Sequence, residues 1–166
     1  ILVSHVHYDH CSPSAIERIR TADTVIVTNS ECAKKFKANV RIIAPGQSIA
    51  VDGVAVEGVA AYNVNKPFHP RGEGGLGFVI TLGGRRIYFA GDTDLIPEMA
   101  AVKADVALLP VSGTYVMSAD EAAEAVKRIK PAVAIPMHYG SIVGSGSDAA
   151  RFKQLSEVPV EILEKE

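Results

Sequence analysis

ILVSHVHYDHCSP, residues 1–13, places three of the chain's five histidines within six positions. The apolar run Ile1-Leu2-Val3 reads as a short buried strand that carries the backbone into His5, His7, Asp9 and His10. Ser12 followed by Pro13 is a helix N-cap with proline at the first helical position, which opens a helix to about Arg20. The segment is therefore a strand, a polar turn and a helix start. Neutral imidazole and carboxylate are ligands that borderline divalent metals favour. His5 and His7, two residues apart, point to the same side of an extended strand end, whereas Asp9 and His10 fall beyond the bend. A backbone cannot easily wrap one ion with four ligands from six consecutive residues. Two adjacent ions, each taking two of the four, are the expectation.

Two ions need further ligands, and working outward along the chain supplies three candidates. His69 sits in an aperiodic loop, Asp92 follows a strand in YFAGDTD, and His138 follows another in AIPMHYG. Every histidine is then used, each at the edge of an element. The elements alternate: strands over TVIVT (24–28), VRIIA, SIAV and VAVEGVAAY, with Ser30 capping a short helix through Lys37. Asp52-Gly53 signals a tight hairpin. Residues 62–75 form the loop, and LGFVITL-GG-RRIYFAG is a second hairpin. A helix near 95–102 and the strand DVALLPV follow. SADEAAEAVKRIKP then carries a capping box, Ser118 with Glu121, and an apolar stripe. The strand AVAIP, a helix at about 147–156 and a strand VPVEIL close the chain. Strands interleaved with helices predict a layered α/β sandwich in a single domain, 1–166.

Composition narrows the function classes. Apolar residues make up 48% and charged residues 22%, and the formal net charge is −2, so no strong field draws the chain to nucleic acid or an anionic membrane. The basic clusters Lys34-Lys35-Lys37 and Arg85-Arg86 read as a solvated helix face and a hairpin edge. Two cysteines, Cys11 and Cys32, without a CxxC pair argue against a disulfide scaffold or thiolate zinc knuckle and suit a reducing cytoplasm. No long apolar run or leader pattern is read. The chain opens mid-strand without an initiator Met, and is taken as trimmed, processed or split.

His5-Val6-His7-Tyr8-Asp9-His10 followed by His69, Gly91-Asp92 and His138 resembles the metallo-β-lactamase superfamily, whose signature is HxHxDH with a later His, Asp and His. The segments AYNVNKPFHPRGEGGLGFVI, GDTDLIPEM and PAVAIPMHYG resemble its branch of small hydrolases that includes ascorbate-6-phosphate lactonase relatives. The resemblance implies a four-layer αββα sandwich. It implies that His5, His7 and His69 hold one metal and Asp9, His10 and His138 the second, with Asp92 bridging beside a shared water or hydroxide. His7 stands where the iron redox branch carries Glu, and the bridging position is a carboxylate. Superfamily members begin with several strands before the signature. Those strands are absent here, so either another chain supplies them or the sequence is incomplete. These 166 residues folding unaided would leave a sheet edge and apolar surface uncovered, which favours self-association.

Such a site makes hydroxide available near neutral pH by lowering the pKa of a bound water toward about 7, and it polarises the scissile oxygen. Asp9 is placed to hold or relay the proton of that water, and Asp9 and Asp92 are the catalytic carboxylates. The expected reaction is hydrolysis of an ester, lactone or phosphoester in a small anionic metabolite. Arg71 and Lys66 flank His69 as partners for the anion, and Tyr115 and Tyr139 are substrate contacts at the rim. Two alternatives stay open: a phosphodiesterase or nuclease acting on nucleotides, and a non-catalytic metal-binding half of a two-chain assembly. The ligand set admits several metals; zinc is the expected cofactor, two ions per chain, with manganese second.

Overall fold

The structure is a computed structural model that describes residues 1–164. Two sheets are packed face to face with helices outside both, giving the αββα order expected from the sequence. The smaller sheet is parallel, in the order β1 (Leu2–Val3), β2 (Ile26–Thr28), β3 (Val40–Ile42). The larger runs β4 (Ser48–Val51), β5 (Val54–Ala60), β6 (Leu76–Leu82), β7 (Arg85–Phe89), β8 (Val106–Pro110), β9 (Val133–Met137). Its first four strands are an antiparallel meander, and its last two join in parallel through crossovers. Both meander hairpins close as the sequence predicts. Asp52 and Gly53 have φ 49° and 81°, and Gly83 and Gly84 57° and 74°, the positive pair a type I′ turn requires.

Three apolar clusters define the layers. Val3, Ile16, Ile26, Cys32 and Phe36 seal α1 (Pro13–Ile19) and α2 (Ser30–Ala33) onto the small sheet. Val27, Ile43, Val56, Leu76 and Phe78 fill the space between the sheets. The largest cluster packs α3 (Ala119–Ile129) and α4 (Gly146–Leu155) beneath the large sheet, around Tyr88, Met99, Leu109, Val126 and Phe152. α3 forms as read, with the Ser118–Glu121 capping box present and Lys130 in the left-handed conformation ending it.

Four local expectations change. The cap of α2 is Asn29, whose side chain accepts from Cys32 N at 2.9 Å, and the helix ends at Ala33 because Lys35 and Phe36 bond three residues back into a tighter turn. Strand β2 is confined to Ile26–Thr28, since only these residues pair with β3. The helix near 95–102 is a 3₁₀ turn, Pro97–Ala101. The strand VPVEIL reduces to one bridge between Val160 and Ala134, with Glu161 to Glu164 exposed beyond it.

The two sheets meet at one end of the molecule, where Leu76 N donates to Ser4 O at 2.9 Å. β1 and β7 both run out to this end, as does β9, and β6 starts from it. The chain's histidines are gathered there. β1 is an edge strand, and beside it Leu2, Phe78, Ile80 and Phe89 line an open cleft of about 170 Å³.

Candidate metal centre

Each functional side chain is delivered by the end of an element. β1 stops at Val3, and a turn closed by His10 N and Cys11 N donating to His7 O folds the HVHYDH segment over the sheet end. Asp92 follows β7 through Gly91, whose φ is +69° and where a Cβ would meet Leu76 O at 2.5 Å, so only glycine lets the backbone pass here. His69 lies in the 62–75 loop, pinned by Asn63 N donating to His69 O at 2.8 Å. His138 lies just past β9. His69 and His138 both occupy the left-handed region, with φ 54° and 60°.

The seven predicted ligands converge around one carboxylate oxygen. Asp92 Oδ2 lies 3.1 Å from His138 Nε2, 3.4 Å from His69 Nε2, 3.5 Å from His10 Nε2 and 3.9 Å from His5 Nε2. His7 Nδ1 stands 3.1 Å from His5 Nε2 and 3.0 Å from His69 Nε2. Asp9 Oδ2 is 3.6 Å from His10 Nε2 at the solvent side. Two tight ligand groups emerge, His5-His7-His69 and His5-His10-Asp92.

The donor chemistry fits a divalent cation. Burial, helped by the neighbouring His10, lowers the His5 pKa to about 3, and burial lowers that of His69 against the opposing pull of Asp92, so both rings are neutral near pH 7. With its ring proton on Nδ1, 3.2 Å from the Tyr115 carbonyl, His69 turns the lone pair of Nε2 toward the cluster. One proton on His7 Nδ1 can serve either His5 or His69 well, not both. Convergent lone pairs are what a cation satisfies. Burial alone would raise Asp92, but the hydrogen bond from His138 and the charges of His10 and His138 outweigh it and hold the carboxyl below its ordinary range. The hydrogen bond to Asp92 raises His138 and outweighs burial, which acts to lower it.

The structure also assigns residues that the sequence reading passed over. Ser4 Oγ lies 3.0 Å from His5 Nδ1 and Ser112 Oγ 3.1 Å from His138 Nδ1, each behind a ligand ring. Asn63 Nδ2 donates to Tyr115 O at 2.7 Å and fixes the carbonyl that orients His69. Ser4 adjoins His5 and was findable; Ser112 and Asn63 are 26 and 6 residues from their histidines, and only the fold pairs them. Cys11 and Cys32 are buried against one another, and burial with this contact pushes the Cys11 thiol up to about 11, so it packs rather than ligates.

Above the cluster opens a cavity of about 500 Å³ lined by Phe68, Tyr115, Tyr139 and Ile142 together with six of the seven predicted ligands, all but His5. Tyr115 and Tyr139 thus stand at the rim where the sequence put them. Arg71 does not. Its guanidinium pairs with Glu98 at 2.9 Å over the Tyr62 ring, in a separate cleft on the far side of the loop. Lys66 pairs with Asp94. Both cations are paired with carboxylates and neither lines the cavity above the cluster.

Fold and site together define a metallo-β-lactamase-type protein. The model of the β-lactamase superfamily domain matches residues 1–138, and the chain belongs to that superfamily. It is 42% identical to a UPF0173 metal-dependent hydrolase of Thermoplasma acidophilum over 94% of this chain and 72% of that protein. A second one, from Symbiobacterium thermophilum, is 36% identical over 92% and 70%. The chain belongs, within the superfamily, to these metal-dependent hydrolases. Among solved structures, one described as a metal-dependent hydrolase of Parabacteroides distasonis superposes with TM-score 0.89 at 33% identity, covering 100% of this chain and 76% of that one. A metallo hydrolase of Ignicoccus hospitalis gives 0.81 at 26%, covering 98% and 75%. Among the described residues no helix is long and apolar enough to cross a membrane.

Proposed function

We propose that the site is dinuclear and hydrolyses an ester, lactone or phosphoester bond of a small molecule, with zinc as the resident metal and manganese as its alternative. The observation that carries this reading is the convergence of four imidazole nitrogens on one buried carboxylate oxygen, within 3.9 Å. His5, His7 and His69 would hold one ion and Asp9, His10 and His138 the other, with Asp92 shared. Bound there, divalent ions supply Lewis acidity and a water acidified to near neutrality.

The chain's own residues do the rest. Asp92, kept ionised by its histidines, holds the two halves of the site at a fixed spacing. Ser4, Ser112 and the Tyr115 carbonyl fix the ring orientations, which keeps the ligand nitrogens aimed inward. Asp9 is the most solvent-open carboxylate of the cluster, side chain 32% exposed, and is placed to take the proton of the attacking water and return it to the leaving oxygen. Tyr139 and Tyr115 flank the cavity where the scissile group would lie.

The test is direct. Protein purified without chelator is expected to carry two equivalents of metal by elemental analysis. It should hydrolyse at least one of a 4-nitrophenyl ester, a lactone and bis(4-nitrophenyl) phosphate, and lose that activity on chelation or in His7→Ala. A protein that binds no metal, or whose hydrolysis survives both treatments, overturns the reading.

A further inference from the structure

The cavity above the cluster has an apolar wall and, among the described residues, no lysine or arginine in its lining. Tyr8, Phe68 and Ile142 line it while 79%, 44% and 65% exposed. Phe68 stands edge-on to Tyr115 with ring centroids 4.8 Å apart, so these two rings form one aromatic wall. Three large apolar side chains held in water around one mouth mark a binding surface. The cations nearest the site point elsewhere: Lys66 to Asp94, Arg71 to Glu98, and Lys35 to the Val6 carbonyl at 2.8 Å. A carboxylate or phosphate remote from the scissile bond would face rings, aliphatic groups, the Ser141 hydroxyl and the Asp9 carboxylate, with no lysine or arginine among the described residues to pair it.

We infer that the cavity takes the uncharged, apolar acyl or aryl portion of the substrate, so that the enzyme cleaves a neutral ester or lactone and not a phosphorylated or polycarboxylate metabolite. This rests on the hydrolytic reading above and replaces the anionic substrate expected from Arg71 and Lys66. A cavity of about 500 Å³ is within the size range of small-molecule sites and holds such a group in full.

Three 4-nitrophenyl esters share one leaving group and separate the cases: the butyrate, the hexanoate and the glutarate monoester, whose acyl chain ends in a carboxylate. With zinc-loaded protein, kcat/KM for the hexanoate should exceed that for the butyrate by about fifteenfold, since each of the two extra methylenes buried is worth about fourfold. It should exceed the glutarate monoester by at least about tenfold. Ile142 is exposed and outside the regular elements, so Ile142→Lys should fold normally and shrink both ratios severalfold. Equal or better turnover of the charged ester, or no dependence on chain length, overturns the inference while leaving the hydrolase reading intact. If none of the esters is cleaved, calorimetric titration of metal-free protein with 4-phenylbutyramide decides. Binding that weakens at least fivefold in Ile142→Lys sustains the apolar pocket; absent binding overturns it.

Discussion

Asp92→Asn keeps the shape of the central side chain and deletes its charge. Asp92 Oδ2 has four imidazole Nε2 atoms within 3.1 to 3.9 Å, so any cation those nitrogens share lies in the carboxylate's immediate field. Two opposite unit charges about 4 Å apart at an effective dielectric near 20 attract by about 4 kcal/mol, and a dication by more. At about 1.4 kcal/mol per factor of ten, the substitution should weaken metal binding by at least about a thousandfold. Titration with zinc-buffered chelator solutions measures this, and elemental analysis after dialysis gives the stoichiometry. Thermal unfolding supplies an independent readout. At a free metal concentration a thousandfold above its Kd the parent gains about 4 kcal/mol, whereas the variant, at its own weakened Kd, gains only about 0.4. The metal-free variant loses the charged hydrogen bond from His138, about 1.5–3 kcal/mol, so metal-free baselines must be compared too. An Asp92→Asn protein that keeps full metal content with affinity within threefold of the parent would refute the central role given to this carboxylate.

Three further perturbations probe the fold beneath the site. Gly91→Ala forces a Cβ to within 2.5 Å of Leu76 O at φ +69°, and should destabilise the protein by about 2–3 kcal/mol in urea unfolding; an unchanged midpoint contradicts the close approach. Tyr88 is wholly buried with its hydroxyl unpartnered among the described residues, so Tyr88→Phe should be neutral or stabilising by about 1 kcal/mol at pH 7. Burial raises the Tyr88 pKa, so its share of stability is intact below the unfolded value near 10 and declines at higher pH; stability curves above pH 10 should be flatter in the Phe variant. His5 has the opposite sense. With its folded pKa lowered to about 3, its contribution in metal-free protein is present above about 6.5 and is lost as pH falls toward 3. His5→Asn should remove part of that acid-side slope, and an identical slope in both proteins would show that His5 does not titrate this way.

The site was legible because its chemistry is dense and local. HVHYDH places four ligands on one strand end and one bend, and neither tolerates a bland reading. His69, Asp92 and His138 were legible from a weaker rule, that each follows or interrupts a strand that could empty onto a common rim. The hairpins at Asp52-Gly53 and Gly83-Gly84 were legible because positive φ at both turn positions restricts the residue types. What failed was decided by contacts across the fold. Arg71 and Lys66 adjoin His69 in sequence, but the loop turns their side chains toward Glu98 and Asp94, and no periodicity reports that. VPVEIL has strand propensity, yet Pro159 brings no N–H to a ladder and the register yields one bridge. Asn29 took the cap expected of Ser30 because both are good N-cap residues, and the choice is made by where β2 ends.

His69 and His138 connect these observations to how the site is held. Both are non-glycine residues in the left-handed region, which costs on the order of 1–3 kcal/mol each. Both also bring an Nε2 within 3.4 Å of Asp92 Oδ2. The strain persists because the surroundings determine it: the Asn63 amide grips the His69 carbonyl, and Ser112 sits behind the His138 ring. Beneath them the strands carry buried apolar side chains on both faces of the large sheet, which do not depend on the cluster. The histidine end therefore draws on stability made elsewhere in the sandwich. A ligand set assembled at that cost, with His5 and His69 neutral and one ionised carboxylate at its centre, is arranged for a cation before any cation arrives.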